Sequence, residues 1–194
     1  MSGLQVLFVT GNQEKVREAA YACRDYDIDI IQKEVSVSEI QHHDPDEITR
    51  HKAFAAYEIL GEPVVVNDSS WSIPALGGFP GGYMKDISGW LSTDDFARLM
   101  AGNKDKSIIL TEVTAYFDGS EYRAFRYVRR GKFIDTPRGR SSPSFARLVV
   151  MEDDEVTISE MFDRGERTVD PRRYGHWRAF AEWYCSRRGD THRV

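Results

Sequence analysis

Leu4 to Val9 form a short apolar run that stops at Thr10-Gly11-Asn12, after which Val16, Ala19, Ala20 and Cys23 recur at steps of three and four. This pattern predicts strand, tight turn, helix. A second β-branched run, Ile28 to Ile31, is followed by Asp44-Pro45, a helix cap and a first-turn proline. Ile48, Ala55 and Ile59 fall on one face of the helix expected there, which Gly61 ends before Pro63 and a strand at Val64-Val65-Val66. The resulting β-α-β-α-β order predicts an α/β sheet.

Beyond this strand the pattern changes. Pro74, Gly77, Gly78, Pro80, Gly81 and Gly82 predict a loop from Ser69 to Tyr83, longer than an ordinary connector and of the kind that carries function. Thr93 to Met100 has helical spacing, and the β-rich stretches Ile108 to Phe117 and Tyr122 to Val128 flank Asp118-Gly119, a hairpin signal. A strand near Leu148 to Val150 and a final helix from about Arg172 to Ser186 complete the chain. One domain spanning residues 1–194 is expected.

Composition narrows the function. The 194 residues are 41% apolar and 29% charged, which excludes a disordered or collagen-like chain. Twenty-six Lys and Arg against 31 Asp and Glu leave a net charge of −5, no field for gripping a polymeric nucleic acid. No apolar stretch approaches the ~20 residues of a membrane span. Cys23 and Cys185 have no metal-site spacing, and no basic, apolar leader begins the chain, so a cytoplasmic protein is expected.

Three segments could carry chemistry. At Thr10-Gly11-Asn12 and Lys15, a helix start with a nearby cation suits a phosphate, although the same residues make an ordinary turn. Asp68 ends a buried strand, where ligands of open α/β sheets collect; it could hold a divalent ion, take a proton from water or cap the next turn. In the acidic stretch around His42 and His43, Asp44 and Glu47 have capping-box spacing, which leaves Glu39 as a possible ligand. The two histidines lack a third zinc ligand, so oxygen donors and magnesium are the expectation.

In order along the chain, Phe8-Val9-Thr10-Gly11-Asn12 with Lys15 and Glu18, Pro45-Asp46-Glu47-Ile48 with Lys52, Val65-Val66-Asn67-Asp68, and Ala75-Leu76-Gly77-Gly78-Phe79-Pro80-Gly81-Gly82-Tyr83 with Lys85 resemble the inosine triphosphate pyrophosphatase, or Ham1-like, family. Leu99 to Gly102, Asp105 to Ser107, Pro137-Arg138-Gly139 and Glu160-Met161 extend the resemblance. It implies an elongated mixed sheet with two α/β lobes and a central cleft, commonly in a homodimer. It also implies cleavage of a nucleoside triphosphate to monophosphate and pyrophosphate with Mg2+ or Mn2+. Carried over, Thr10, Asn12 and Lys15 grip the triphosphate with Lys52 and Lys85 nearby, Glu39 and Asp68 hold the metal, and Asp68 orients or deprotonates the attacking water.

The sequence departs from the family pattern in three places. Asn67 replaces the first of two adjacent acids, where an amide oxygen can coordinate without adding charge. Phe145 falls on a base-stacking aromatic, but Ala146 falls on the following aspartate. Arg172 and Arg173 stand for a His-Arg pair, Glu166-Arg167 lie near it, and His176 is an alternative. These changes suggest a pocket tuned to another base, or a nucleotide-binding protein with little turnover. Trp71 and Phe145 fit either a base platform or a core.

Overall fold

The computed structural model describes residues 4–38, 40–140, 143–165 and 171–189. Its first half follows the apolar pattern. Strand β1 (Leu4–Val9) leads into α1 (Gln13–Cys23), whose start is fixed by Asn12: its side-chain oxygen accepts the N–H groups of Glu14 at 2.9 Å and Lys15 at 3.4 Å. Strand β2 (Ile28–Lys33) follows, then α2 (Pro45–Leu60). The Asp44 carboxylate accepts the Asp46 N–H at 3.0 Å, and left-handed Gly61 donates to the Tyr57 carbonyl at 2.8 Å. The buried face of α2 differs from the expected one. Ile48, Ala53 and Ala56 are buried, whereas Ile59 is 55% exposed, because small residues let the helix lie close to the sheet.

Strand β3 (Val64–Ser72) reaches further than the apolar run suggests. Ser69 to Tyr83 is therefore not one loop: β3 continues through Ser72, a 3-10 turn covers Pro74–Leu76, and β4 (Pro80–Gly81), entered through a cis Phe79–Pro80 bond, pairs back onto β3. The polar run is held extended by pairing with β5 (Ser107–Phe117), in register from Val64 opposite Phe117 to Ser72 opposite Ile109. Helices α3 (Met84–Trp90) and α4 (Thr93–Met100) lie between them, the second closed by a Ser92/Asp95 capping box. The hairpin partner β6 (Tyr122–Phe133) extends past Val128, and β7 (Val149–Met151) pairs with its end.

The sheet order is β2-β1-β3-β5-β6-β7, parallel from β2 to β3 and antiparallel from β3 onward. β1 pairs with β3 only at Leu7–Val64 and Phe8–Val65, so the second half of β3 runs past its end. That overhang divides the molecule into the two expected lobes. In the first, Phe8 and Val65 pack on α6 (Gly175–Gly189) through Trp177 and Phe180, while Val64 and Val66 pack on the α2 alanines. In the second, Ile73, Phe96, Phe145, Leu148 and Met161 surround the other end of β3, with α5 (Ile158–Arg164) closing it.

The final helix begins at Gly175, later than Arg172, because Pro171–Arg173 turns as a 3-10 segment and the Arg178 N–H to Tyr174 carbonyl bond is 3.0 Å. Among the described residues no helix is long and apolar enough to cross a membrane.

Candidate active site

A cleft of about 1020 Å³ opens where β3 outruns β1. At one end it is bordered by Thr10, Asn12 and Lys15 from the first turn, Lys52 from α2, Asp68 from β3 and Lys85 from α3. The turn is held by its own side chains: the Asn12 N–H donates to the Thr10 hydroxyl at 3.1 Å, and the Asn12 side chain caps α1. Lys15 leaves the first turn of α1 pointing across the sheet end. Its Nζ lies 3.2 Å from the Asn67 carbonyl oxygen, to which it donates, and 3.8 Å from Asp68 Oδ1. Burial lowers the Lys15 ammonium below the ordinary lysine range. Asp68 opposes this, Lys52 adds to it, and the Glu112 and Glu18 carboxylates oppose it in turn.

Asp68 keeps a side chain 26% exposed and accepts the Ser69 N–H through Oδ1 at 3.0 Å. Asn67 does not join it. Neighbouring strand residues project to opposite faces, and the Asn67 amide is buried, donating to the Val113 carbonyl at 3.1 Å and the Thr114 hydroxyl at 3.4 Å. Glu39 lies outside the described residues. Among the described residues no group of three or more His, Cys, Asp or Glu converges as a ready-made metal cage.

The other end of the cleft has mostly apolar walls. Phe145, 3% exposed, meets Trp71 edge to face with ring centres 5.1 Å apart, and Leu110, Met151, Ile158 and Phe162 continue the wall. Phe145 is thus both a core residue, touching Phe96 at 5.9 Å, and a cleft residue; Ala146 is wholly buried and offers no polar group.

The arginine pair divides. Arg173 is buried at the cleft with a nitrogen 3.2 Å from Asp154 Oδ2, whereas Arg172 turns outward, donating to the Asp153 carbonyl at 3.1 Å and approaching Asp154 Oδ1 at 3.6 Å. Arg172 therefore stands apart from the cleft, held by the acidic turn after β7. Glu166 and Arg167 lie outside the described residues. His176 is 2% exposed, its Nδ1 3.8 Å from Glu112 Oε2; burial first, then the Lys15 charge, pushes the imidazole down to about 3.

Two charged residues on the strands that line the cleft, Glu112 on β5 and Arg129 on β6, escape a motif-based reading. The signal for them lies in strand alternation: Glu112 and Leu110 share a face, and Arg129 pairs with Leu110. It becomes readable only when the hairpin register is known.

Fold and cleft together define a two-lobed α/β protein with a cleft between the lobes, bordered by lysines at one end and by aromatic and aliphatic side chains at the other. Residues 6–181 match the Ham1 family, and the chain belongs to that family. It is 32% identical to the dITP/XTP pyrophosphatase of Methanosarcina mazei over 93% of this chain and 97% of that one. It is 30% identical to the inosine triphosphate pyrophosphatase of Aspergillus oryzae over 94% and 95%. Among solved structures, the Ham1 protein of Staphylococcus aureus superposes with a TM-score of 0.74 at 17% identity, covering 93% and 97%. That of Coxiella burnetii gives 0.72 at 20% identity, covering 96% and 99%. These two likenesses are of fold.

Proposed function

We propose that this protein hydrolyses a non-canonical purine nucleoside triphosphate to the monophosphate and pyrophosphate, with a divalent metal ion as cofactor. The observation that carries the reading is Lys15, which bridges from the amino-terminal turn to Asn67 and Asp68 in a cleft it shares with Lys52 and Lys85. Relatives named dITP/XTP pyrophosphatase and inosine triphosphate pyrophosphatase match over nearly the whole chain and support it.

In this reading the triphosphate lies against Thr10, Asn12 and Lys15, with the lysines taking up negative charge that grows on the phosphate oxygens. Asp68 orients a water and accepts its proton as the water oxygen bonds to the α-phosphorus and the bond to the β-phosphate bridge breaks. Such transfer depends on positioning more than on a strong base. The donor set suits magnesium, which is usually held by one or two carboxylates together with substrate phosphates rather than by a full protein cage. Asp68 would hold it, with Glu39 as the second candidate. Bound there, magnesium or manganese would neutralise phosphate charge.

A second reading, nucleotide binding with little turnover, is favoured by the tethered Asn67 amide, which leaves one acid at the strand end. Product analysis separates the two. With Mg2+ or Mn2+ present, a panel of triphosphates is expected to yield monophosphate and pyrophosphate, and Asp68→Asn to lower kcat by about a thousandfold while nucleotide still binds. Saturable binding without pyrophosphate release from the unmodified protein would establish the second reading instead.

A further inference from the structure

The turn that follows β7 carries a buried carboxylate on which three arginines converge. Asp154, its side chain 7% exposed, meets Arg173 on Oδ2 at 3.2 Å, Arg129 on the same oxygen at 3.5 Å and Arg172 on Oδ1 at 3.6 Å. Backbone bonds fix the turn itself. The Glu152 N–H donates to the Arg130 carbonyl at 2.9 Å, the Asp154 N–H donates to the Met151 carbonyl at 3.0 Å, and Val150 bridges to Thr157. The carboxylate therefore takes its position from the sheet.

The three cations stand in different places. Arg129 Nη2 is closed to solvent, and the Arg172 side chain is 55% exposed. Arg173 is buried and borders the cleft, with Asp154 set behind the lining residues. Arg173 needs such an anchor, because it ends the 3-10 turn Pro171–Arg173, where no strand pairing fixes its direction. Tyr174 and Trp177, just beyond it, pack in the core of the first lobe, whereas Met161, whose sulfur also meets an Arg173 nitrogen, and the strand leading to Asp154 belong to the second. The Tyr127 hydroxyl, donating to the Arg172 carbonyl at 2.9 Å, ties down the backbone of the same crossing segment. An arginine side chain has many rotamers, and ordering it during binding costs affinity; a carboxylate that orders it beforehand removes that cost.

We propose that Asp154 is a positioning residue of the cleft: it touches no ligand itself but presets Arg173 to donate to an acceptor group of the bound nucleotide. This rests on the nucleotide reading above and extends it to a residue outside the cleft wall.

The test is a double-mutant cycle with inosine triphosphate and Mg2+, using Asp154→Asn, Arg173→Met and the two combined. The amide keeps the shape of Asp154 and loses its charge. Asp154→Glu keeps the charge, shifts it by one methylene, and takes the amide's place in the cycle if that variant fails to fold. Asp154→Asn is expected to raise KM about three- to tenfold, the cost of ordering one arginine on binding, with kcat little changed. In the Arg173→Met background the same change should add almost nothing. Nuclear magnetic resonance of the ligand-free protein supplies a second readout. The Arg173 side-chain N–H signal, assigned by its loss in Arg173→Met, should show restricted motion in the unmodified protein and free motion in Asp154→Asn. Equal losses in both backgrounds, or a loss confined to the melting temperature, would overturn the assignment and leave Asp154 a structural ion pair.

Turnover without coupling between the two positions overturns this proposal alone. Binding without pyrophosphate release removes only the hydrolytic reading, and the cycle is then read in Kd. If the unmodified protein binds no nucleotide at all, both proposals fall.

Discussion

Acidification probes the surroundings of His176. The free imidazole titrates near 6.5, whereas in the folded chain burial, and after it the Lys15 charge, hold the group at about 3. Between these values the unfolded chain binds a proton that the native state refuses. The stability this neutral ring confers is therefore complete above pH 6.5 and is lost as pH falls toward 3, at about 1.4 kcal/mol per pH unit. By pH 5 the loss reaches about 2 kcal/mol, a substantial part of a typical ~5–15 kcal/mol stability.

Urea unfolding of the unmodified protein and of His176→Gln, from about pH 7.5 down to 5, isolates this contribution, because the carboxylates titrate alike in both. The difference in unfolding free energy is expected to shrink as pH falls. A difference that stays flat would refute the reasoning. One that grows on acidification would mean that His176 is charged and paired with Glu112, 3.8 Å away.

Two stability predictions accompany it. Trp177, 1% exposed and edge-on to Phe8 with ring centres 4.9 Å apart, should cost about 3–5 kcal/mol when changed to alanine, measured by denaturant unfolding; a loss under about 1 kcal/mol would contradict its place in the core. Gly175→Ala would drive a methyl group into the Tyr127 ring, whose hydroxyl donates to the Arg172 carbonyl at 2.9 Å. Overpacking of this kind costs about 1–3 kcal/mol, read as a melting temperature lower by roughly 2–12 °C.

Local chemistry made the first lobe legible. Asp44 and Gly61 are cap residues whose sequence positions are also their structural ones, and Asp118-Gly119 turns the hairpin as its residues require. Thr93–Met100 needed only its periodicity. The far half of β3 was hidden because Asn67, Asp68, Ser69 and Ser70 break an apolar strand pattern; long-range pairing with β5 holds them extended. The cleft divides in the same way. Thr10, Asn12, Lys15, Lys52, Asp68 and Lys85 belong to contiguous motifs and converge. Asn67 and Arg172 belong to similar motifs but are diverted, one by the strand's alternation and the other by Asp153 and Asp154. Glu112 and Arg129 belong to no local motif, and only the register of two antiparallel strands brings them to the wall.

The seating of α6 affects how the chain is made. The segment that covers Phe8 and Val65 is the last one described, and it also reaches back to Tyr26, whose hydroxyl is 3.1 Å from Glu182. Polypeptide leaving a ribosome thus presents an apolar half-site more than a hundred residues before its lid exists. Contacts joining the two ends of the sequence carry a high loop-closure entropy and slow the search for the native state. A nascent chain halted before Gly175 would expose this surface to chaperones or to other unfinished copies.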